Sequence, residues 1–375
     1  MVRDQGERVT ATTQKNHLER VCVRKSIVIS LALAMLLVIL AAFSLYNFYQ
    51  FTSTPLSHST QETVYTLKPG TGALKMLYQL KKQGVLNERQ RLFLGWYIQY
   101  KGYEKLLKAG EYQFALSITP QALIGKLVKG EVIQYPFTLI EGTTFEELFN
   151  TLASMPKIEK TLHGKSIDEI MSLLNIHGSL EGQFFPETYF YTANMTDLSL
   201  LQRAHQMMNK KLQIAWNMRS PEVVVKTPYE ALILASIIEK EAAMDTERCL
   251  ISGVFQRRLQ RNMRLQADPT VVYGLQKEYT GKLTREQLRR DTPYNTYTRL
   301  GLPPTPIACP SMKSIIAAMH PDRSDALYFV AKGDGTHAFS DDLKAHNQAV
   351  SQYQLSPTSY HIGVGMSLGN VSNGQ

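Results

Sequence analysis

Cysteine is nearly absent from this chain: Cys22, Cys249 and Cys309 are the only three among 375 residues. So few, so far apart, exclude a disulfide-stapled fold, and Cys249 and Cys309 read as two buried free thiols. No HExxH occurs, and His337 and His346 share neither an i, i+4 spacing nor a nearby cysteine, so no metal site and no cofactor is expected. Ser236 lacks a GxSxG setting, which removes a serine-hydrolase reading. No basic run interleaved with aromatics appears, nor any zinc-knuckle or helix-turn-helix spacing, so nucleic acid is not an expected partner. Charged residues make up only 19% against 44% hydrophobic, a globular balance that excludes a wholly disordered scaffold.

What is present begins with a long apolar run. Residues 27–46 read IVISLALAMLLVILAAFSLY, without one charge. At about 1.5 Å per residue such a run spans a hydrocarbon core of about 30 Å, longer than the apolar part of a cleaved signal peptide. It ends in Tyr46, Phe48, Tyr49 and Phe51, suited to an interfacial aromatic belt. Residues 1–25 carry +3 of the formal +9 charge, whereas residues 47–63 hold no Lys or Arg. The positive-inside rule therefore places residues 1–25 in the cytoplasm as a basic tail, residues 26–48 in the inner membrane as a retained single-pass anchor, and the rest on the periplasmic side. The remaining excess of +6 favours an anionic partner.

Residues 49–62 read as a Ser/Thr-rich linker. After it, VYTLKPGTGALKMLYQLKKQG is a short alternating strand, a Pro69-Gly70 turn and a helical pattern. The same design returns in PFTLIEGTTFEELFNTLAS, where Thr143 and Glu146 have capping-box spacing. Between them, GEYQFALSITPQALIGKLVKG offers a strand, a Thr119-Pro120 helix start and a Gly130 stop. Strand–helix units of this kind resemble LysM modules, which bind N-acetylated glycans, and residues 63–155 are assigned to such a module. Helical patterns then dominate, and residues 231–238 are apolar on all sides, as in a buried central helix. Residues 356–375, rich in Ser, Gly and Asn, read as a disordered tail.

A buried helix that abruptly carries Glu239-Lys240-Glu241 is the most informative event in the sequence. Residues two apart on a helix project about 200° from each other, so only one of the two glutamates can face a given cleft. Downstream loops at 263–274, 293–311 and 327–347, and the upstream stretch EGQFFPETYFY, are dense in Gln, Asn, Tyr, Asp, Pro and Gly. Such side chains bind sugar hydroxyls and acetamides, and one embedded acid within those walls suits a carbohydrate substrate.

LKPGTG, LIEG, EGQFFPETY, ASIIEKEA, LQADPTVVYG, YNTYTRLGLPPTPI and GDGTHAFS followed by HN, in that order behind the apolar run, resemble the YceG-like family of endolytic murein transglycosylases. The likeness runs from about residue 62 to 353. Thr305 stands where the family pattern has glycine, and Ser311 replaces the glycine usual after Pro310. The resemblance implies that Glu241 is the catalytic acid; spacing alone leaves Glu239 and Glu241 open. It implies a lytic transglycosylase that cuts peptidoglycan glycan strands at the MurNAc-GlcNAc bond, leaves 1,6-anhydro-MurNAc ends, terminates glycan elongation, and works beside penicillin-binding proteins or other peptidoglycan synthases. Substrate-binding roles are assigned to Gln266, Asn295, Tyr297 and Glu187, the last either in the cleft or in a structural ion pair.

The reaction needs Glu241 protonated near neutral pH. Apolar neighbours such as Ile237 and Ile238 would raise its pKa, and Lys240 at contact distance would oppose this, so Lys240 is expected to point away. The expected fold class is α+β: an N-terminal transmembrane helix, a LysM-like α+β module, and a larger mixed α/β catalytic domain over residues 156–355. Two rivals remain, a non-catalytic peptidoglycan-binding scaffold and a hydrolytic muramidase with Glu187, Asp268 or Glu239 as second carboxylate.

Overall fold

The computed structural model describes residues 4–56, 62–115 and 117–354. Its chain divides into two compact units, residues 1–133 and 134–375. Both are mixed α/β with small sheets, and the first begins with an apolar helix.

In the first unit a continuous helix α1 (Asp4–Ser53) contains a segment, Ile27–Ser53, long and apolar enough to cross a membrane, with none of its most apolar stretch buried against protein. Strand β1 (Thr63–Leu67), helices α2 (Ala73–Lys82) and α3 (Glu88–Lys101), strand β2 (Gly110–Phe114) and helix α4 (Pro120–Lys129) follow. β1 and β2 pair antiparallel, Tyr65 opposite Tyr112, and put Tyr65, Leu67, Tyr112 and Phe114 into a core with Met76, Leu77, Leu94 and Ile98. α4 starts and stops where its sequence requires. Thr119 caps it by accepting from Ala122 N at 3.2 Å, Pro120 occupies the first turn, and Gly130 ends it at φ 77°. α1 runs through residues 49–53 of the expected linker, Leu56 is buried in the core, and residues 57–61 lie outside the described ones.

The second unit opens with strand β3 (Tyr135–Thr138) and helix α5 (Phe145–Ser154). The division between the two units falls at residue 133. The reason is pairing: β3 hydrogen-bonds antiparallel to β4 (Thr188–Tyr191), fifty residues downstream, and α5 buries Phe145, Leu148 and Leu152 in the same core as β4. The capping box of α5 is one residue later than its spacing suggested. Thr144 accepts from Glu147 N, and Thr144 N donates to Glu147 Oε2 at 2.8 Å.

α6 (Ile167–Leu174) completes that core with the start of α7 (Asp197–Asn217). A second core surrounds α8 (Pro228–Glu241), whose residues from Ala231 to Ile238 are all buried. Around α8 pack α7, α9 (Arg248–Gln260), α10 (Asp268–Leu275) and α12 (Met312–Met319), with the short α11 (Arg285–Arg289) beside α10. A hairpin of β5 (Tyr328–Ala331) and β6 (His337–Ser340) and helix α13 (Leu343–Tyr353) close the chain, and the expected disordered tail lies outside the described residues. Cys249 and Cys309 are free thiols; Cys309 is buried but Cys249, in the first turn of α9, is exposed.

Candidate active site

α8 delivers its charged end where three loops meet. Glu239 and Glu241 diverge as helical spacing demands. The Glu239 side chain, only 7% exposed, lies 3.2 Å from Arg248 Nη1 and accepts from Ser311 N at 2.9 Å and from the Ser311 hydroxyl. It is a structural ion pair tying α8 to α9 and α12. Lys240 reaches the other way and donates to the Gly142 carbonyl at 3.4 Å.

Glu241 is half-buried, and among the described residues no hydrogen bond or ion pair engages its side chain. Burial pushes its pKa up to about 8, and the nearby Asp268 carboxylate adds to the shift. Without a cation or donor to stabilise the anion, the carboxyl holds its proton at neutral pH. Asp268, at the start of α10, accepts from the Tyr297 hydroxyl at 2.5 Å. Burial above all, then that bond and the fields of Asp268 and Glu241, raise the Tyr297 pKa and keep the side chain a neutral phenol.

Gln266 is exposed, at φ 52°, an uncommon conformation for a side chain larger than glycine. It is held there because Gln266 N donates to Thr296 O at 3.1 Å and its Oε1 accepts from Arg258 Nη1 at 3.3 Å. Arg258, buried and without a carboxylate partner among the described residues, donates to the carbonyls of Leu265 and Leu327 and so stitches this loop to the hairpin. Gln266 and Asp268 on the 266–268 segment and Tyr297 on the 294–297 segment thus share one region, with Asp268 and Tyr297 beside Glu241 at the end of α8.

Two expected residues are placed elsewhere. Asn295 is fully buried; its amide donates to the carbonyls of Leu288 and Arg290, at 3.1 and 2.7 Å, and its Oδ1 accepts from Tyr297 N at 2.8 Å. With both ends engaged inside the loop, it shapes the turn that carries Tyr297 and has no surface to offer a ligand. Glu187 is exposed beside β4, accepts only from the adjacent Thr188 N, and joins no ion pair among the described residues. His337, similarly, is occupied by Glu247, 2.7 Å from its Nδ1. Among the described residues no cluster of His, Cys, Asp and Glu could hold a metal ion.

The residue that sequence reasoning missed is Glu181. It lines a groove of about 990 Å³ that also touches Phe145, Phe149, Tyr273, Lys240 and Asp268. Glu181 is buried; its carboxyl accepts from Phe145 N at 3.0 Å and from the Tyr273 hydroxyl at 3.1 Å, yet burial still lifts its pKa to about 7. The signal was present, because Glu181 precedes a Phe184-Phe185 core pair just as Glu239-Lys240-Glu241 follows a buried run. Gly182 beside it sits at φ 72°, and a Cβ there would stand 2.4 Å from Pro306 Cβ, so only glycine lets the two loops meet. Glu241 does not itself line this groove; Asp268, the carboxylate next to it, does.

The two departures from the family pattern cause no backbone strain. Neither residue has a positive φ; the Thr305 hydroxyl is 2.9 Å from Tyr294 OH, and Ser311 caps α12 while donating to Glu239.

A proton-holding carboxyl next to a long groove of aromatic and polar walls is a site equipped for general-acid chemistry on an extended substrate. The chain belongs to the YceG-like family, whose model matches residues 65–352. It is 30% identical over 318 residues to an endolytic murein transglycosylase of Bacillus subtilis, a match covering 80% of this chain and 87% of that one. To an endolytic murein transglycosylase of Streptococcus pneumoniae it is 27% identical over 365 residues, covering 88% of this chain and 65% of that longer one. The crystal structure of a yceG-like protein from Listeria monocytogenes matches 77% of this chain and 99% of its own, with a TM-score of 0.50 and 26% identity.

Proposed function

We propose that this protein is a membrane-anchored lytic transglycosylase that cuts peptidoglycan glycan strands internally, with Glu241 as its single acid–base group. The observation that carries this reading is the carboxyl of Glu241, its pKa raised to about 8 without any ion-pair partner, next to the groove wall formed by Asp268. The relatives' names supply the substrate class.

Protonated Glu241 gives its proton to the glycosidic oxygen as the bond from C1 of MurNAc breaks. The C6 hydroxyl of the same sugar then attacks C1, and its proton passes to the Glu241 carboxylate. The products are a free GlcNAc 4-hydroxyl and a 1,6-anhydro-MurNAc end, with the acid restored and no water consumed. The half-buried Tyr297 near Glu241 and the exposed Gln266 carry groups that would bind sugar hydroxyls and acetamides.

The remaining parts fit the same reading. Residues 27–46 as an inner-membrane anchor would keep the enzyme, on the periplasmic side, at freshly made glycan, where cutting terminates elongation beside peptidoglycan synthases such as penicillin-binding proteins. The β1–α2–α3–β2 arrangement of the first unit supports a LysM-like glycan-binding role. Asp268, the one carboxylate whose field reaches Glu241, favours a second reading, a hydrolytic muramidase. Digestion of purified murein decides between them. Anhydro-ended fragments from the wild type and none from Glu241→Gln support the transglycosylase, reducing ends support the muramidase, and no cleavage by either overturns both.

A further inference from the structure

One exposed face of the first unit is apolar, aromatic and basic at once. Trp96 and Tyr100, one turn apart on α3, are 56% and 69% exposed, and their rings stack at 5.3 Å with an interplanar angle of 11°. Just beyond the helix, Leu106 is 51% exposed. Lys101, whose Nζ lies 5.7 Å from the Tyr100 ring, and Lys105, in the turn that follows α3, are exposed and have no carboxylate partner among the described residues. An indole and a phenol left in water next to a leucine forgo burial worth about 1.5–3 kcal/mol for a large side chain, so this face is incomplete as it stands.

What covers it follows from its attachment to α1. Phe48 contacts the Trp96 ring edge-on at 5.7 Å and the Tyr97 ring at 5.7 Å, and Phe51 packs at a tilt of 37° against Phe93 at 4.9 Å. Phe48 lies two residues, about 3 Å, past the end of the apolar run at Tyr46, and Phe51 about 7.5 Å past it. Ascending α1 from Phe48 to Phe51 means moving back along α3 from Trp96 to Phe93. α3 therefore descends toward the apolar run, carrying Tyr100 lower than Trp96. If residues 27–46 fill the hydrocarbon layer, Trp96 stands at headgroup depth and Tyr100 at or below it.

We infer that the Trp96–Tyr100–Leu106 face, with Lys101 and Lys105, is a second membrane contact, seated in the headgroup region of the leaflet from which α1 emerges. Amphipathic rings settle at that depth, and the two ammonium groups match anionic headgroup phosphates. This contact rests on the reading of α1 as a membrane span. It restrains the first unit against the bilayer at two points instead of leaving it to pivot on one helix.

The test uses the full chain reconstituted in phosphatidylethanolamine–phosphatidylglycerol vesicles whose acyl chains are brominated near the headgroup in one preparation, which reports on Trp96, and near the bilayer centre in another, which reports on the span. The sequence has two tryptophans, so subtracting the emission of the Trp96→Phe variant isolates Trp96. A Leu37→Trp variant reports on the middle of the apolar run. Loss of both the Trp96 and the Leu37→Trp emission supports the second contact. Quenching at Leu37→Trp with Trp96 emission unchanged overturns it while leaving the anchor intact, and no quenching at either position overturns the anchor as well. A Trp96 emission that responds to a soluble N-acetylglucosamine oligomer but not to brominated lipid assigns the face to glycan and overturns the inference.

Discussion

Glu239 and Glu241 stand two residues apart on one helix and live in opposite electrostatic worlds: Glu239 is 3.2 Å from the Arg248 guanidinium, whereas Glu241 has only the Asp268 carboxylate to feel. One charge is held by a cation and the other is discouraged by burial and a like charge. The same helical geometry that separates their side chains separates their tasks.

Replacing Glu241 by Gln removes the exchangeable proton but none of the hydrogen bonds of the fold. Murein cleavage should drop by about 10²–10⁴-fold, the usual worth of a general acid. The melting temperature should stay the same or rise, since an amide carries no penalty for ionising in that pocket. Mass analysis of the digest alongside a thermal melt checks both; a melt lowered together with activity would point to a structural role instead.

Glu239→Ala should behave in the reverse way. Removing Glu239 leaves the buried Arg248 guanidinium with only the exposed Asp245 carboxylate, 3.1 Å from its Nε, and should cost up to about 3 kcal/mol. Changing both residues, Glu239→Leu with Arg248→Met, should cost less than the sum of the single changes. Denaturant unfolding of the three variants measures the coupling, and simple additivity would show that the pair does not act as a unit.

The pH dependence has a definite sign. In the proposed mechanism cleavage needs Glu241 protonated, so kcat/KM should fall as pH rises through about 8. Asp268→Asn removes the like charge and should move that fall to lower pH. Stability follows the same direction, because Glu241 and Glu181 are raised in the folded state, to about 8 and about 7, from an ordinary value of 4.5. The folded protein binds more protons than the unfolded chain between these values, so their contribution is complete below pH 4.5 and is lost as pH climbs through 7 and 8. Melting of wild type against the Glu181→Gln, Glu241→Gln double variant across pH 5–9 isolates it, and parallel curves would refute the assignment.

Asn295→Ala should destabilise the second unit by about 1–3 kcal/mol, as expected when buried backbone carbonyls lose their donor. Cleavage should weaken as well, because the turn that presents Tyr297 is released. Since Asn295 offers no surface to sugar, affinity for an uncleaved glycan should change less than turnover does. A loss confined to affinity would return Asn295 to the substrate.

Patterns of residue type alone determined much of this protein. Thr119, Pro120 and Gly130 mark both ends of α4, the run from Ala231 to Ile238 marks a buried helix, and twenty uncharged residues mark the apolar part of α1. Each depends on forces acting within one segment: capping, periodic burial, or the length of an apolar run. The family resemblance singled out Glu241, but spacing could not, since a helix says that two side chains diverge and never which one meets a cation. That was decided by Arg248 and Ser311 arriving from α9 and α12. Tertiary contacts likewise turned Asn295 inward to the carbonyls of its own loop, and set the division between the two units at residue 133 because β3 finds its partner in β4. They also drew Glu181 into the groove wall, where Phe145 N and Tyr273 meet it from far along the chain. Burial and charge at these points depend on which distant segments pack together, and only the folded chain brings those segments into range.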